Sequence, residues 1–140
     1  MNAARASPPR PHGFTLVEVM LVLVIVVALV SVALPSFRQR SLRSGRLDGM
    51  QALMKVQAAQ EQHRSLHGLY AGDLAALRGT APVSMQGLYA VTLQITGAEA
   101  YLARATARGA QAQDGHCREL TLSVQQGFPT EGPAPECWQR

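Results

Sequence analysis

Twenty-one consecutive residues, Phe14–Leu34, carry a single charge, Glu18. As a helix rising about 1.5 Å per residue, this run is about 31 Å long and matches a bilayer core of roughly 30 Å. A chain of 140 residues that gives this stretch to lipid keeps room for one small domain. The run exceeds the about 7–15-residue apolar core of an ordinary secretory signal. Its small residue, Gly13, lies on the N-terminal side, whereas a conventional signal is cut after the apolar region. Glu18 is the anomaly. An ionised side chain at the bilayer centre costs about 2–3 kcal/mol or more, which makes it a functional residue by default. The bland alternative is snorkelling, because Glu18 lies close to the helix end.

The preceding segment, Met1–Gly13, holds three prolines, Arg5 and Arg10, and no apolar run. It cannot build a core and is set aside from the fold. The order of leader, Gly13, Phe14, Thr15, two aliphatics, Glu18 and apolar helix resembles the class III signal of type IV pilins and their relatives. A plain signal anchor with an accidental Glu is the competing reading. The resemblance implies that a prepilin peptidase cuts between Gly13 and Phe14 on the cytoplasmic side. It then methylates the new amine of Phe14, leaving residues 14–140. It also gives Glu18 a partner, the Phe14 amine of a neighbouring subunit, which would compensate the carboxylate in lipid and register one subunit on the next.

Orientation is contested by charge. Arg38, Arg40, Arg43 and Arg46 follow the apolar run and outnumber Arg5 and Arg10, so a count of positive charges places the C-terminal flank inside. The resemblance of the leader to class III signals, together with the pair Cys117 and Cys137, implies the opposite orientation, with the head in the periplasm before assembly and in an extracellular pilus or periplasmic pseudopilus afterwards. The four arginines read as a headgroup-facing collar. DNA contact is the sharper reading, but their spacing does not put all four on one helical face. Removing Arg5 and Arg10 from the 13 basic residues leaves 11 against 9 acidic ones, which supports DNA binding only weakly.

Beyond Leu34 the helix is expected to continue, with a kink at Pro35, through a stretch free of further proline. Leu47, Met50, Leu53, Met54 and Leu66 form an apolar stripe that needs a partner surface. Gly45 and Gly49 each weaken the helix by about 1 kcal/mol relative to Ala. Gly68 is the expected stop, with Arg64 and His67 in the last turn. Thereafter Ala71–Arg78 suits a short helical turn. Leu88–Thr96, Ala100–Ala107 and Glu119–Gln125 alternate as strands, with Tyr89, Val91, Leu93 and Ile95, then Tyr101, Ala103 and Ala105, then Leu120, Leu122 and Val124 on their apolar faces. Gly109–Gly115 reads as a polar loop. The long helix is the obvious cover for the sheet.

Cys117 and Cys137 are the only cysteines, without His partners at zinc-finger spacing. On the far side of a membrane such a pair reads as one disulfide, worth roughly 3 kcal/mol for a loop of about 20 residues in the chain-entropy model. It would tie the turn before the third strand to Phe128–Arg140, a Pro- and Gly-rich segment unable to hold itself in place. Trp138 reads as a plug under that loop, with a binding aromatic as the alternative. The run from Tyr89 through Tyr101, Asp114, Cys117, Gly127 and Cys137-Trp138 resembles the sheet and disulfide-bounded loop of PilE-like pilins. One departure is that no Gly lies between Phe14 and Pro35.

Catalysis finds no support. Carboxylates are dispersed, no Gly-rich phosphate loop or triad order exists, and no cofactor or metal is expected. His63 and His67, four apart, lack the Glu of a zinc-protease motif and read as a solvated helix end. The expected architecture is α+β, a long N-terminal helix packed on a three- to four-stranded antiparallel sheet with a disulfide-bounded C-terminal loop. Its segments are a leader (1–13), a transmembrane and polymerisation helix (14–34), an amphipathic helix (35–68) and a head (69–140). The expected function is a filament subunit, a minor pilin of a type IV pilus. A type II secretion pseudopilin and a pilin specialised for DNA or surface binding are the alternatives. Expected partners are other pilin subunits, the prepilin peptidase, the inner-membrane assembly machinery and, before assembly, membrane lipid.

Overall fold

The computed structural model describes residues 13–138, so the expected leader, except Gly13, lies outside the described residues. One helix, α1 (Leu16–His67), is followed by four strands, β1 (Tyr89–Gly97), β2 (Ala100–Ala107), β3 (Glu119–Gln125) and β4 (Phe128–Gly132). Contacts divide the chain into two units, one ending at Phe37 and the other beginning at Arg38.

In the first unit α1 is apolar and exposed along its whole length. It contains a window long and apolar enough to cross a membrane, none of it buried. Thr15 caps its start, its Oγ1 accepting from the Glu18 N–H at 3.2 Å. Thr15 and Glu18 thus have the spacing of a capping box, with an acid in the first turn where the helix dipole favours it. Pro35 lies inside α1 and does not end it.

In the second unit the strands form an antiparallel meander in the order β1-β2-β3-β4. β3 and β4 are joined by Gln126 and Gly127, both with positive φ (51° and 84°). This is the backbone of a two-residue hairpin turn matched to strand twist. The fourth strand ties Phe128–Gly132, part of the segment expected to need the disulfide, to β3 as well. Val124 pairs with Pro129 and Thr121 with Gly132. Pro is admissible there because β4 is an edge. Two short 3-10 turns, Leu74–Ala76 and Gly109–Gln113, occupy the stretches expected as a helical turn and a polar loop.

The core lies between α1 and one face of the sheet. Tyr89, Val91, Tyr101, Ala103, Ala105, Leu120, Leu122 and Val124 are buried, as their alternation predicts, whereas Leu93 is only partly buried and Ile95 is exposed because the helix does not cover that end of β1. The helical stripe needs correction. Met50 and Leu53 are buried, but Leu47 and Met54 are more than a third exposed and Leu66 is largely exposed. The buried face of α1 is instead Gly45, Asp48, Gly49, Met50, Leu53, Val56 and Gln60. The glycines are there for approach. A Cβ on Gly49 would stand 3.0 Å from the Tyr89 ring and 3.1 Å from Leu120, and one on Gly45 would collide with the Gln111 amide. The helix cost foreseen at both positions is offset by sheet and loop packing against bare backbone. Gly68, with φ +78°, stops the helix as predicted.

Candidate functional site

Three polar side chains of α1, two of them buried, each hold a separate loop against it. Gln60 Nε2 donates to the Ala71 carbonyl at 2.9 Å, and its Oε1 accepts from the Ala71 N–H at 2.8 Å. The pair closes the chain back onto the helix just after Gly68. The Asp48 carboxylate accepts from Ser84 Oγ at 2.5 Å, Gln86 N at 3.0 Å and Leu88 N at 3.3 Å. Ser84 Oγ in turn accepts from the Tyr89 N–H at 2.9 Å, which fixes where β1 begins. A buried carboxylate is admissible only with such partners.

Arg46 makes the third clamp. Its Nε and NH2 donate to the two Asp114 oxygens at 2.7 and 2.9 Å, a bidentate pair, and its NH1 donates to the Glu136 carbonyl at 3.2 Å. The Asp114 hydrogen bonds raise the Arg46 guanidinium further above its already high value, against desolvation. Gln111 completes the junction, its Nε2 lying 2.9 Å from the Leu42 carbonyl and 3.1 Å from the Tyr89 hydroxyl. Burial pushes the Tyr89 hydroxyl up from its ordinary value. Sequence position groups Arg46 with Arg38, Arg40 and Arg43 as a surface collar. The structure separates it from them, as a half-buried strut paired with Asp114.

The same junction carries the disulfide. Cys117 and Cys137 are bonded, with Cα atoms 5.4 Å apart. Arg46 therefore touches both ends of the disulfide-bounded loop, through Asp114 before Cys117 and Glu136 before Cys137. Trp138 is nearly buried and donates from Nε1 to the Gly132 carbonyl at 2.7 Å. It is the expected plug, not a presented aromatic. A cleft of about 810 Å³ opens beside this junction, lined by Leu42, Arg43, Leu47, Asp114, His116 and Glu136 among others.

Some cations are answered by carboxylates, and others, among them Arg43, Lys55, Arg78, Arg108 and Arg118, are exposed without one among the described residues. Among the described residues Arg46, Arg64 and Arg104 pair with Asp114, Glu99 and Glu119. Arg108 and Arg118 are exposed and have no carboxylate within 4 Å among the described residues. They stand at one end of the sheet, because the Ala107 N–H donates to the Arg118 carbonyl at 2.8 Å. Arg118 Nε also donates to the Ala112 carbonyl at 3.0 Å, which holds its side chain over the turn between the two arginines. Neither was singled out from the sequence. Only the β2–β3 register brings them together, and no local pattern marks that.

The predicted N-terminal residues are placed singly. Gly13, Phe14 and Glu18 are all exposed in the first unit, with Phe14 one residue before the Thr15 cap. His63 and His67 have ring centroids 4.4 Å apart at the end of α1.

Two stretches of the chain match described families. Residues 35–121 match "Type IV minor pilin ComP, DNA uptake sequence receptor", and residues 9–34 match "Prokaryotic N-terminal methylation motif". Comparison with curated proteins gives no match.

Proposed function

Since the chain belongs to the type IV minor pilin ComP family, we propose that its head binds double-stranded DNA while its N-terminal helix builds it into a pilus. The chain is a minor pilin of the type IV pilus, and the methylation motif over its apolar helix fits membrane anchoring before assembly. The match to a pilus family favours the pilus over a secretion pseudopilus. The DNA reading rests on one observation, that the match to a DNA-receptor family spans residues 35–121 and so covers the clamped head as far as β3. Arg108 and Arg118 supply its chemistry. Two exposed, carboxylate-free guanidiniums on a rigid sheet end suit phosphates of one DNA backbone.

Maturation belongs to the same proposal. The prepilin peptidase cuts between Gly13 and Phe14 and methylates Phe14, and the head faces the periplasm. Glu18 pairs with the Phe14 amine of a neighbouring subunit. Cutting there leaves Phe14 alone ahead of the Thr15 cap, so the mature chain enters its helix at once and its amine lies within a turn of the Glu18 position.

The test is DNA affinity of the full processed chain in detergent micelles, measured with short duplexes across a salt series. Affinity should fall with salt, and Arg108→Gln with Arg118→Gln should reduce the log–log slope by about 2, near 0.9 per phosphate contact. An unchanged slope removes the arginine pair. Failure to bind any duplex at low salt removes the DNA reading, whereas filament entry would be untouched by either result.

A further inference from the structure

The two edges of the sheet are defended differently. β4 carries Pro129 and Glu131 and runs into Pro133, devices that keep an edge strand from recruiting another strand. β1 has no proline and no charge from Tyr89 to Ala98, and its one irregularity is a register shift between Ile95 and Gly97, at the end of the strand. Its first half is covered, because the Val91 N–H donates to the Pro82 carbonyl at 2.8 Å and the Tyr89 carbonyl accepts from the Ser84 N–H at 2.9 Å. These bonds show that odd-numbered residues of β1 point their main-chain groups away from β2. Leu93 and Ile95 follow the same alternation, and their N–H and C=O groups have no partner among the described residues. Ile95 is also more than a third exposed.

We propose that Thr92–Thr96 is a pairing edge for a second copy of this chain, forming an antiparallel β1–β1 contact centred on Gln94. The segment Thr-Leu-Gln-Ile-Thr is its own complement about that centre. Leu93 of one copy falls opposite Ile95 of the other, in pairs that exchange both main-chain hydrogen bonds. All four open groups on each chain are then used. The Leu–Ile pairs meet on one face of the sheet. On the other face the two Gln94 side chains meet at a non-hydrogen-bonded position, with Cα atoms about 4.5 Å apart. Thr92 opposes Thr96, and no like charges are brought together.

The geometry also says how such a pair is oriented. The two-fold axis relating antiparallel edge strands is perpendicular to the sheet. The 45–60 stretch of each α1 packs on that sheet, so these stretches of the two copies point in opposite directions. The contact therefore joins heads whose 45–60 stretches run antiparallel. It uses neither Arg108 nor Arg118 and does not depend on DNA binding.

The test uses full-length protein in detergent, freed from a common membrane orientation. The native cysteines are bonded to each other, so one introduced cysteine is the lone thiol. Gln94→Cys should form a dimer on mild oxidation, whereas Ala98→Cys in the turn and Thr130→Cys on β4 should not. Adding Ile95→Pro removes only an outward N–H and should abolish the Gln94→Cys dimer. Should that variant not fold, charge pairs decide instead. Leu93→Lys with Ile95→Lys should abolish the dimer, and Leu93→Glu with Ile95→Lys should restore it. No dimer through Gln94→Cys, an equal dimer through Thr130→Cys, or indifference to both sets of edge variants would overturn the proposal.

Discussion

From Phe14 to Leu34 every α1 side chain is exposed and all but a few are aliphatic. From Gly45 to Gln60 the buried face contains two glycines, Asp48 and Gln60 beside Met50, Leu53 and Val56. Within one helix, hydrophobicity and burial have come apart. The first stretch is long and apolar enough to cross a membrane, and the lipid and neighbouring subunits proposed to surround it ask only for a continuous apolar cylinder. The second meets one specific partner, a sheet with ordered loops at its ends. A specific partner can be met by removing side chains or by satisfying its backbone groups, as well as by greasy contact.

The most complete break between the two halves is expected at the N-terminus. Gly13→Leu should leave the precursor uncut, so that mass spectrometry finds no chain beginning at Phe14. The head should unfold at the wild-type midpoint, because Gly13 lies in the other unit with nothing near its Cβ position. Normal maturation of this variant would sink the cleavage assignment. A changed head midpoint would instead show that the halves are not independent in folding.

A matched pair of leucines then sharpens the contrast. Gly49→Leu forces a side chain into the Tyr89 and Leu120 contact and should destabilise the head by about 3 kcal/mol, at the upper end of overpacking effects. Val27→Leu, on the exposed apolar stretch, should leave the head unfolding midpoint unmoved. Trp138, the single tryptophan and nearly buried, reports both by its fluorescence. Equal effects from the two substitutions would mean that close approach at Gly49 does not hold the head together.

How much of this was legible beforehand follows from the range of each interaction. The three hydrophobic strands, the Gly68 stop and the membrane-length run are local patterns, and each appears where periodicity or a turn residue places it. β4 was not legible, because Pro129 and Gly132 argue against a strand until the Gln126-Gly127 turn delivers it to the free edge of β3. The stripe failed at Leu47, Met54 and Leu66 because an apolar pattern cannot tell which side chains the sheet reaches. Arg46 and Asp48 were illegible for a further reason. Their partners lie 68 residues away at Asp114 and 36 at Ser84, and a charged residue on a helix reads as solvent-facing until the loop that answers it is known. Thr15 was the missed local signal, standing at N-cap distance from Glu18.

Asp48 offers a smaller but more selective test. Asp48→Ala leaves the Ser84 hydroxyl and the Gln86 and Leu88 N–H groups without their acceptor. The expected loss is about 2–3 kcal/mol, the range for removing a charged hydrogen-bond partner. Asp48→Asn keeps one acceptor oxygen and should lose about half as much. Limited proteolysis should find the new cuts between Thr80 and Leu88, the stretch this carboxylate holds. Cuts elsewhere, or no loss of stability, would show that the loop is held by strand pairing alone.

Tyr101 is the counter-example that sets the smallest effect. Its ring is fully buried, packed edge-on against Tyr70 with centroids 4.8 Å apart. Its hydroxyl is the one buried side-chain polar atom without a partner among the described residues. Where Asp48 and Gln60 answer loops, this oxygen answers nothing, so Tyr101→Phe should leave stability at neutral pH unchanged or raise it by up to about 1 kcal/mol. Alkaline titration fixes the sign. Burial raises the Tyr101 hydroxyl well above its ordinary value of 10.0, so above pH 10 the unfolded chain releases this proton and the folded chain holds it. Stability is therefore lost as pH rises beyond 10. Tyr101→Phe removes that contribution and should flatten the decline, leaving the shares of Tyr70 and Tyr89, whose hydroxyls are also raised. A variant less stable at neutral pH, or one declining as steeply in alkali, would mean that the hydroxyl has a partner after all.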